Sequence, residues 1–165
     1  MHYESGRTKT GENYRQKAVT LGSESGIHKT PVFQTIPFEE VPQAIQKLQE
    51  EYENLYNNEL SQEEYIKGVT KIYADFIFIQ PYEDGNKRTA LCLLNSMLMS
   101  KNIIPPPISL TNDQKMIEAY YKAQEKDYEM LQRLVVQKCT KMKKTSPDDK
   151  NSIDKGENNE NWYRY

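Results

Sequence analysis

Apolar residues recur along this chain at two different periods, and the longer period dominates. Val41, Ile45, Leu48, Tyr52 and Leu55 repeat at helical spacing. Glu39, Glu40 and Pro42 stand where acids and an early proline suit a first helical turn. Asn57-Asn58 breaks the pattern, and Ser61-Gln-Glu-Glu64 reads as a capping box that starts a second helix. Tyr65, Val69, Ile72, Tyr73 and Phe76 then share one face up to Ile79. After a Gln-Pro-Tyr-Glu-Asp-Gly-Asn loop, Arg88 to Lys101 is the most apolar helix. Leu91, Leu93, Leu94, Met97 and Leu98 predict that it is the central one. Ile-Ile-Pro-Pro-Pro-Ile-Ser-Leu cannot be helical. Thr111-Asn-Asp113 caps a further helix through about Gln124, and a last one runs from about Asp127 to Lys141.

Before the helices the pattern changes. Tyr14–Gly22 and Lys29–Phe38 carry β-branched and aromatic residues on either side of Ser-Glu-Ser-Gly, which predicts a small hairpin or flap. Residues 1–13 are expected to be irregular, and the polar stretch 143–165 to be disordered except for the aromatic end Trp-Tyr-Arg-Tyr, a candidate docking peptide. The predicted class is mainly α with one small hairpin, with a single domain over residues 14–142.

Composition narrows the function. The chain has 165 residues, 36% of them hydrophobic and 28% charged, with a net charge of −2. That balance points neither to nucleic acid nor to an anionic membrane. Cys92 and Cys139 are too few and too far apart for a disulfide framework or a metal cluster. Cys92, inside an apolar helix, is expected to be a buried thiol, in keeping with a reducing compartment. The polar start lacks the apolar region of a signal peptide, and no apolar run reaches membrane-spanning length. The expected location is the cytoplasm, or another cell reached through a secretion machine.

The candidate chemistry lies in Gln80-Pro-Tyr-Glu-Asp-Gly-Asn-Lys-Arg-Thr89. Pro81 stops one helix, Gly85 lets the backbone turn close to a ligand, and a new helix starts at about Lys87. Unpaired N–H groups at a helix start, with the dipole behind them, form an anion site. Lys87 and Arg88 add positive charge there, and Asp84 supplies the carboxylate that Mg²⁺ takes alongside phosphate oxygens. The same letters also spell an ordinary helix-joining turn with surface charge pairing.

The run Tyr73–Ala90 resembles the signature of Fic-domain (Fido) proteins, H-P-F-x-[D/E]-G-N-G-R-x-x-R between two helices. Thr10-Gly-Glu-Asn-Tyr-Arg15, the segment His28–Leu48, the proline run and the Ala123/Asp127/Leu131 spacing extend the likeness over roughly residues 11–140. The resemblance implies a Fic-type helical bundle with a β-hairpin flap over the active-site loop. It also implies transfer of AMP from ATP to a hydroxyl of a target protein. By position, Asp84 would hold Mg²⁺, and Gly85, Asn86, Lys87 and Arg88 would bind the nucleotide, with Tyr82 anchoring the loop. The flap residues Ile27, His28, Lys29, Thr30, Pro31, Val32 and Phe33 would hold the target segment by strand addition. The family's inhibitor, where there is one, would come from a separate inhibitory or antitoxin chain. The letters Thr8-Lys-Thr-Gly-Glu12-Asn13 match the inhibitory pattern, but they abut the first strand and contain Gly11.

Three positions depart from the signature. Gln80 replaces the His that takes the target's proton, Lys87 replaces the second Gly, and Leu91 replaces the final Arg. The Gly-Asn-Lys-Arg spelling resembles the Doc branch, in which the transfer is kinase-like, but that branch keeps the His. Glutamine donates and accepts hydrogen bonds without titrating. The remaining candidates for a base, His28 in the flap and Glu83 beside the motif, are not expected to serve. The expectation is a domain with strongly reduced or absent AMP transfer, a pseudoenzyme that keeps Mg-nucleotide binding. The alternatives are an active transferase or kinase-like enzyme assisted by Gln80, and a protein-interaction scaffold that binds no nucleotide.

Overall fold

The computed structural model describes residues 14–23, 30–108 and 114–143. An antiparallel ribbon comes first, with β1 at Thr20–Ser23 and β2 at Thr30–Gln34. A short 3-10 turn at Phe38–Glu40 leads into α1 (Val41–Asn57), followed by α2 (Gln62–Ile79), α3 (Asn86–Met99), α4 (Gln114–Gln124) and α5 (Glu129–Lys143). The class is as expected, a helical bundle with one small hairpin. The segments 1–13 and 144–165, the flap residues 27–29 and the cap at 111–113 lie outside the described residues.

Local chemistry sets the helix ends. Pro42 stands in the first turn of α1. Asn58 ends that helix in an extended conformation while its N–H and its Nδ2 both donate to the Asn54 carbonyl. The capping box at the start of α2 is complete. Ser61 Oγ accepts from the Glu64 N–H at 3.2 Å, and Glu64 Oε2 accepts from the Ser61 N–H at 2.9 Å.

The central helix is α2, not α3. It packs against α1, α3, α4 and α5, and its buried residues, from Tyr65 to Ile79, lie all round it. Gly68 lets α1 approach, because a Cβ there would come 2.6 Å from Leu55 Cδ2. On α3 only Ala90, Leu94, Met97 and Leu98 form the inward stripe, at i, i+4, i+7 and i+8. The other apolar residues of α3 spread beyond that stripe. Leu93 and Met99 are exposed, and so is Cys92, which corrects the expectation of a buried thiol. Cys139, by contrast, is buried, and burial pushes its thiol up to about 11.

The strands are shorter than predicted. Residues 14–19 do not join the ribbon, because Arg15 turns inward and its N–H donates to the Pro81 carbonyl at 2.8 Å. Leu21 pairs with Phe33, and Phe33 stacks on Tyr121 of α4 with ring centroids 6.3 Å apart.

A polar knot holds the other side of α2. Lys71 Nζ bridges Glu51 of α1 and Asp75, each at 2.9 Å. Asp75 Oδ1 also accepts from Lys126 Nζ at 2.8 Å and from the Tyr128 hydroxyl at 2.6 Å, both in the turn joining α4 to α5. Burial pushes the Asp75 carboxyl up, but hydrogen bonds from Lys126, Tyr128 and Lys71 outweigh it and hold it below the usual value.

Candidate functional site

The loop between α2 and α3 is built from behind. Gln80 closes α2 in the left-handed conformation, at φ 49° and ψ 61°. A helix ending this way leaves carbonyls without intrahelical donors. Arg15 supplies the donors. Its Nε donates to the Gln80 carbonyl at 2.7 Å, and its Nη2 to the Ile79 carbonyl at 3.2 Å. Nη2 also donates to the Ile36 carbonyl at 2.6 Å, and Nη1 to the Lys17 carbonyl at 2.7 Å. Thr35 Oγ1 is a further acceptor at 3.3 Å, and its own hydroxyl donates to Val19. The side chain is 1% exposed, so this cation is neutralised by carbonyl oxygens and by the negative end of the α2 dipole. Burial lowers its pKa from the usual value, against the charge of Glu39. One arginine thus joins the base of the hairpin to the start of the loop.

Inside the loop, Asn86 does the equivalent work. Its Oδ1 accepts from the Tyr82 N–H at 2.9 Å, and its Nδ2 donates to the Tyr82 carbonyl at 2.7 Å and to Gln80 Oε1 at 3.1 Å. Gln80 in turn donates its Nε2 to the Ile77 carbonyl at 2.7 Å. Tyr82 lies between Tyr14 and Phe76, with centroids 6.0 and 6.3 Å away, and anchors the loop as expected. Gly85 then turns at φ 81° into α3.

The front of the loop is open. No side chain caps α3, and beside its start lies a cleft of about 330 Å³ lined by Gln80, Glu83, Asp84, Gly85, Asn86, Lys87 and Arg88. Asp84 and Arg88 pair at 3.2 Å, with side chains 93% and 81% exposed. Lys87 Nζ sits 6.0 Å from the Tyr120 ring. Glu83 lines the cleft and reaches Lys17 at 4.0 Å. Two cations, an uncapped helix start and two exposed carboxylates make an arrangement that can take an anion and present oxygen ligands beside it.

The candidate residues Gln80, Asp84, Gly85, Asn86, Lys87 and Arg88 therefore meet at one cleft. Asn86 is 5% exposed and its side-chain amide is occupied with the loop, which leaves that amide no part in holding a ligand. Leu91 packs on the core. Of the flap, Thr30–Phe33 lie in β2, while Ile27, His28 and Lys29 fall outside the described residues. None of the described flap residues lines this cleft. In sequence Arg15 stands out only within the Thr10–Arg15 likeness, and its part in the site does not show there because the carbonyls it reaches lie far along the chain.

The family model that matches this chain is described as the Fic/DOC family and covers residues 4–98, more than half of its length. The chain belongs to that family. No curated protein matches it.

Proposed function

We propose that this Fic/DOC-family domain keeps a Mg-nucleotide cleft of the protein adenylyltransferase type and is impaired in transfer. The observation that carries the proposal is Gln80. The side chain stands where the family's proton acceptor is expected, and its amide is held at both ends, by the Ile77 carbonyl and by Asn86. An amide cannot accept the target hydroxyl's proton, and one tied down in this way is poorly placed even to orient it. Loss of a general base typically costs about 10²–10⁴ in rate.

Binding is supported by the front of the loop. The N–H groups of the first turn of α3 would receive a phosphate, with Lys87 and Arg88 beside it. Among the described residues, no three His, Cys, Asp or Glu side chains converge. Mg²⁺ would therefore take Asp84 together with phosphate and water oxygens, which is how this ion is held on phosphates. When bound, it would neutralise phosphate charge. Arg88 would leave Asp84 to reach the phosphate, and an exposed pair of this kind opens at little cost.

Calorimetric titration of the full chain with ATP tests the reading. Binding is expected with Mg²⁺, weaker without it, and lost on Arg88→Ala. No binding with or without Mg²⁺ would refute a nucleotide cleft.

A further inference from the structure

α1, α2 and α3 enclose an apolar groove of about 300 Å³. Ile45, Leu48 and Tyr52 line it from α1, Phe76 from α2, and Leu93 and Met97 from α3. Leu93 is 39% exposed, large for a leucine beside a core. Two polar groups break the walls, Gln49 and Ser96. Gln49 Nε2 donates to Glu53 Oε1 at 2.9 Å, which fixes a carboxylate one turn along the rim. Such a groove suits flat rings that carry one polar atom, with a cation next to them.

The chain contains such a segment. Residues 144–161 are polar, and Trp162-Tyr-Arg-Tyr165 follows them. We infer that Trp162–Tyr165 docks into the groove between α1, α2 and α3 of its own chain, with rings against Tyr52, Phe76 and Leu93 and Arg164 toward Glu53. The indole N–H and the tyrosine hydroxyls find Gln49 and Ser96. Reach does not limit the contact. The 18 residues between Lys143 and Trp162 extend to roughly 60 Å, whereas α2, at 18 residues, is about 27 Å long. Tethering also supplies an effective concentration on the order of millimolar, so a weak intrinsic contact is enough.

Trp162 is the sole tryptophan, so its fluorescence reports directly on the docking. The full chain is excited selectively at tryptophan and compared with Leu93→Asp, which places a charge at an exposed groove position, and with the urea-unfolded chain. Ser96→Arg, which blocks the groove from an exposed position, serves as a second variant should Leu93→Asp disturb folding. The expected result is a blue-shifted emission in the wild type, independent of protein concentration, with several-fold slower acrylamide quenching than in either variant. Three results would overturn the inference. Emission equal to that of the unfolded chain would mean the ring is in water. A blue shift unchanged in both variants would mean it is buried elsewhere. A blue shift that fades on dilution would mean the groove is filled by a second copy or another molecule.

Discussion

Two aspartates in this protein each have a basic residue four positions away, and their surroundings are opposite. Asp75 pairs with Lys71 within α2 and also takes Lys126 and Tyr128 across the bundle, at 12% side-chain exposure. Among the described residues Asp84 pairs only with Arg88, at 93% side-chain exposure. The first carboxylate is saturated and joins three parts of the fold. The second keeps oxygen lone pairs free beside an uncapped helix, and its partner is released at little cost. The spelling Asp-x-x-x-Arg or Lys-x-x-x-Asp says nothing about which case applies. Burial decides it, and burial is set by the helices that arrive from elsewhere in the chain.

The same contrast runs through the loop. Behind it, Arg15 and Asn86 have their donors taken up by the fold; in front, Lys87 and Arg88 are exposed. Substitutions should therefore divide into those that unfold the protein and those that only empty the cleft. The largest expected effect is Arg15→Met, which keeps the stem but strands buried carbonyls at Ile36, Ile79 and Gln80. A loss of about 3–5 kcal/mol is expected from urea denaturation. A small loss would mean that the hairpin and the loop are not joined through this residue.

Asp75→Asn follows, at about 2–3 kcal/mol near neutral pH. The sign of its pH dependence is fixed by the lowered carboxyl. The stabilisation is complete above the unfolded value of about 3.9 and is lost as pH falls through the lower folded value. The gap between wild type and Asp75→Asn should be constant around neutrality and close below about pH 4. Lys71 supports this. Burial pushes its ammonium down, but Glu51 and Asp75 outweigh that and leave it above the usual value, so it stays charged throughout the window.

Ser61→Ala, which removes the hydroxyl half of the capping box, should cost about 1 kcal/mol. Asp84→Ala should leave the denaturation midpoint where it is and weaken Mg-dependent ATP binding. If Asp84→Ala destabilised the fold as Asp75→Asn does, the division between the two aspartates would fail.

Much of this was legible from local pattern. The five helices, the break at Asn57-Asn58 and the capping box follow from spacing and from residues that act on their near neighbours. That Gln80 and Asp84–Arg88 would lie together was legible because one short segment carries them. The role of Arg15 was not, since its acceptors on Ile79 and Gln80 lie 64 and 65 residues along the chain. Nor was the exposure of Cys92 and Leu93. Counting apolar residues on α3 showed how many there are, not that only one stripe meets neighbouring helices. The hydrogen bond from Asn86 to Gln80 was hidden for a related reason, since it depends on Gln80 adopting the left-handed conformation at the end of α2.

The central claim is that Gln80 holds the loop and cannot take a proton. The most direct test is transfer of label from α-phosphate-labelled ATP to proteins of a cell extract, with wild type and Gln80→His side by side. Label with Gln80→His is expected at least about 10²-fold above wild type. Equal labelling by the wild type would contradict it, because this cleft would then hold a working proton acceptor other than the residue at position 80.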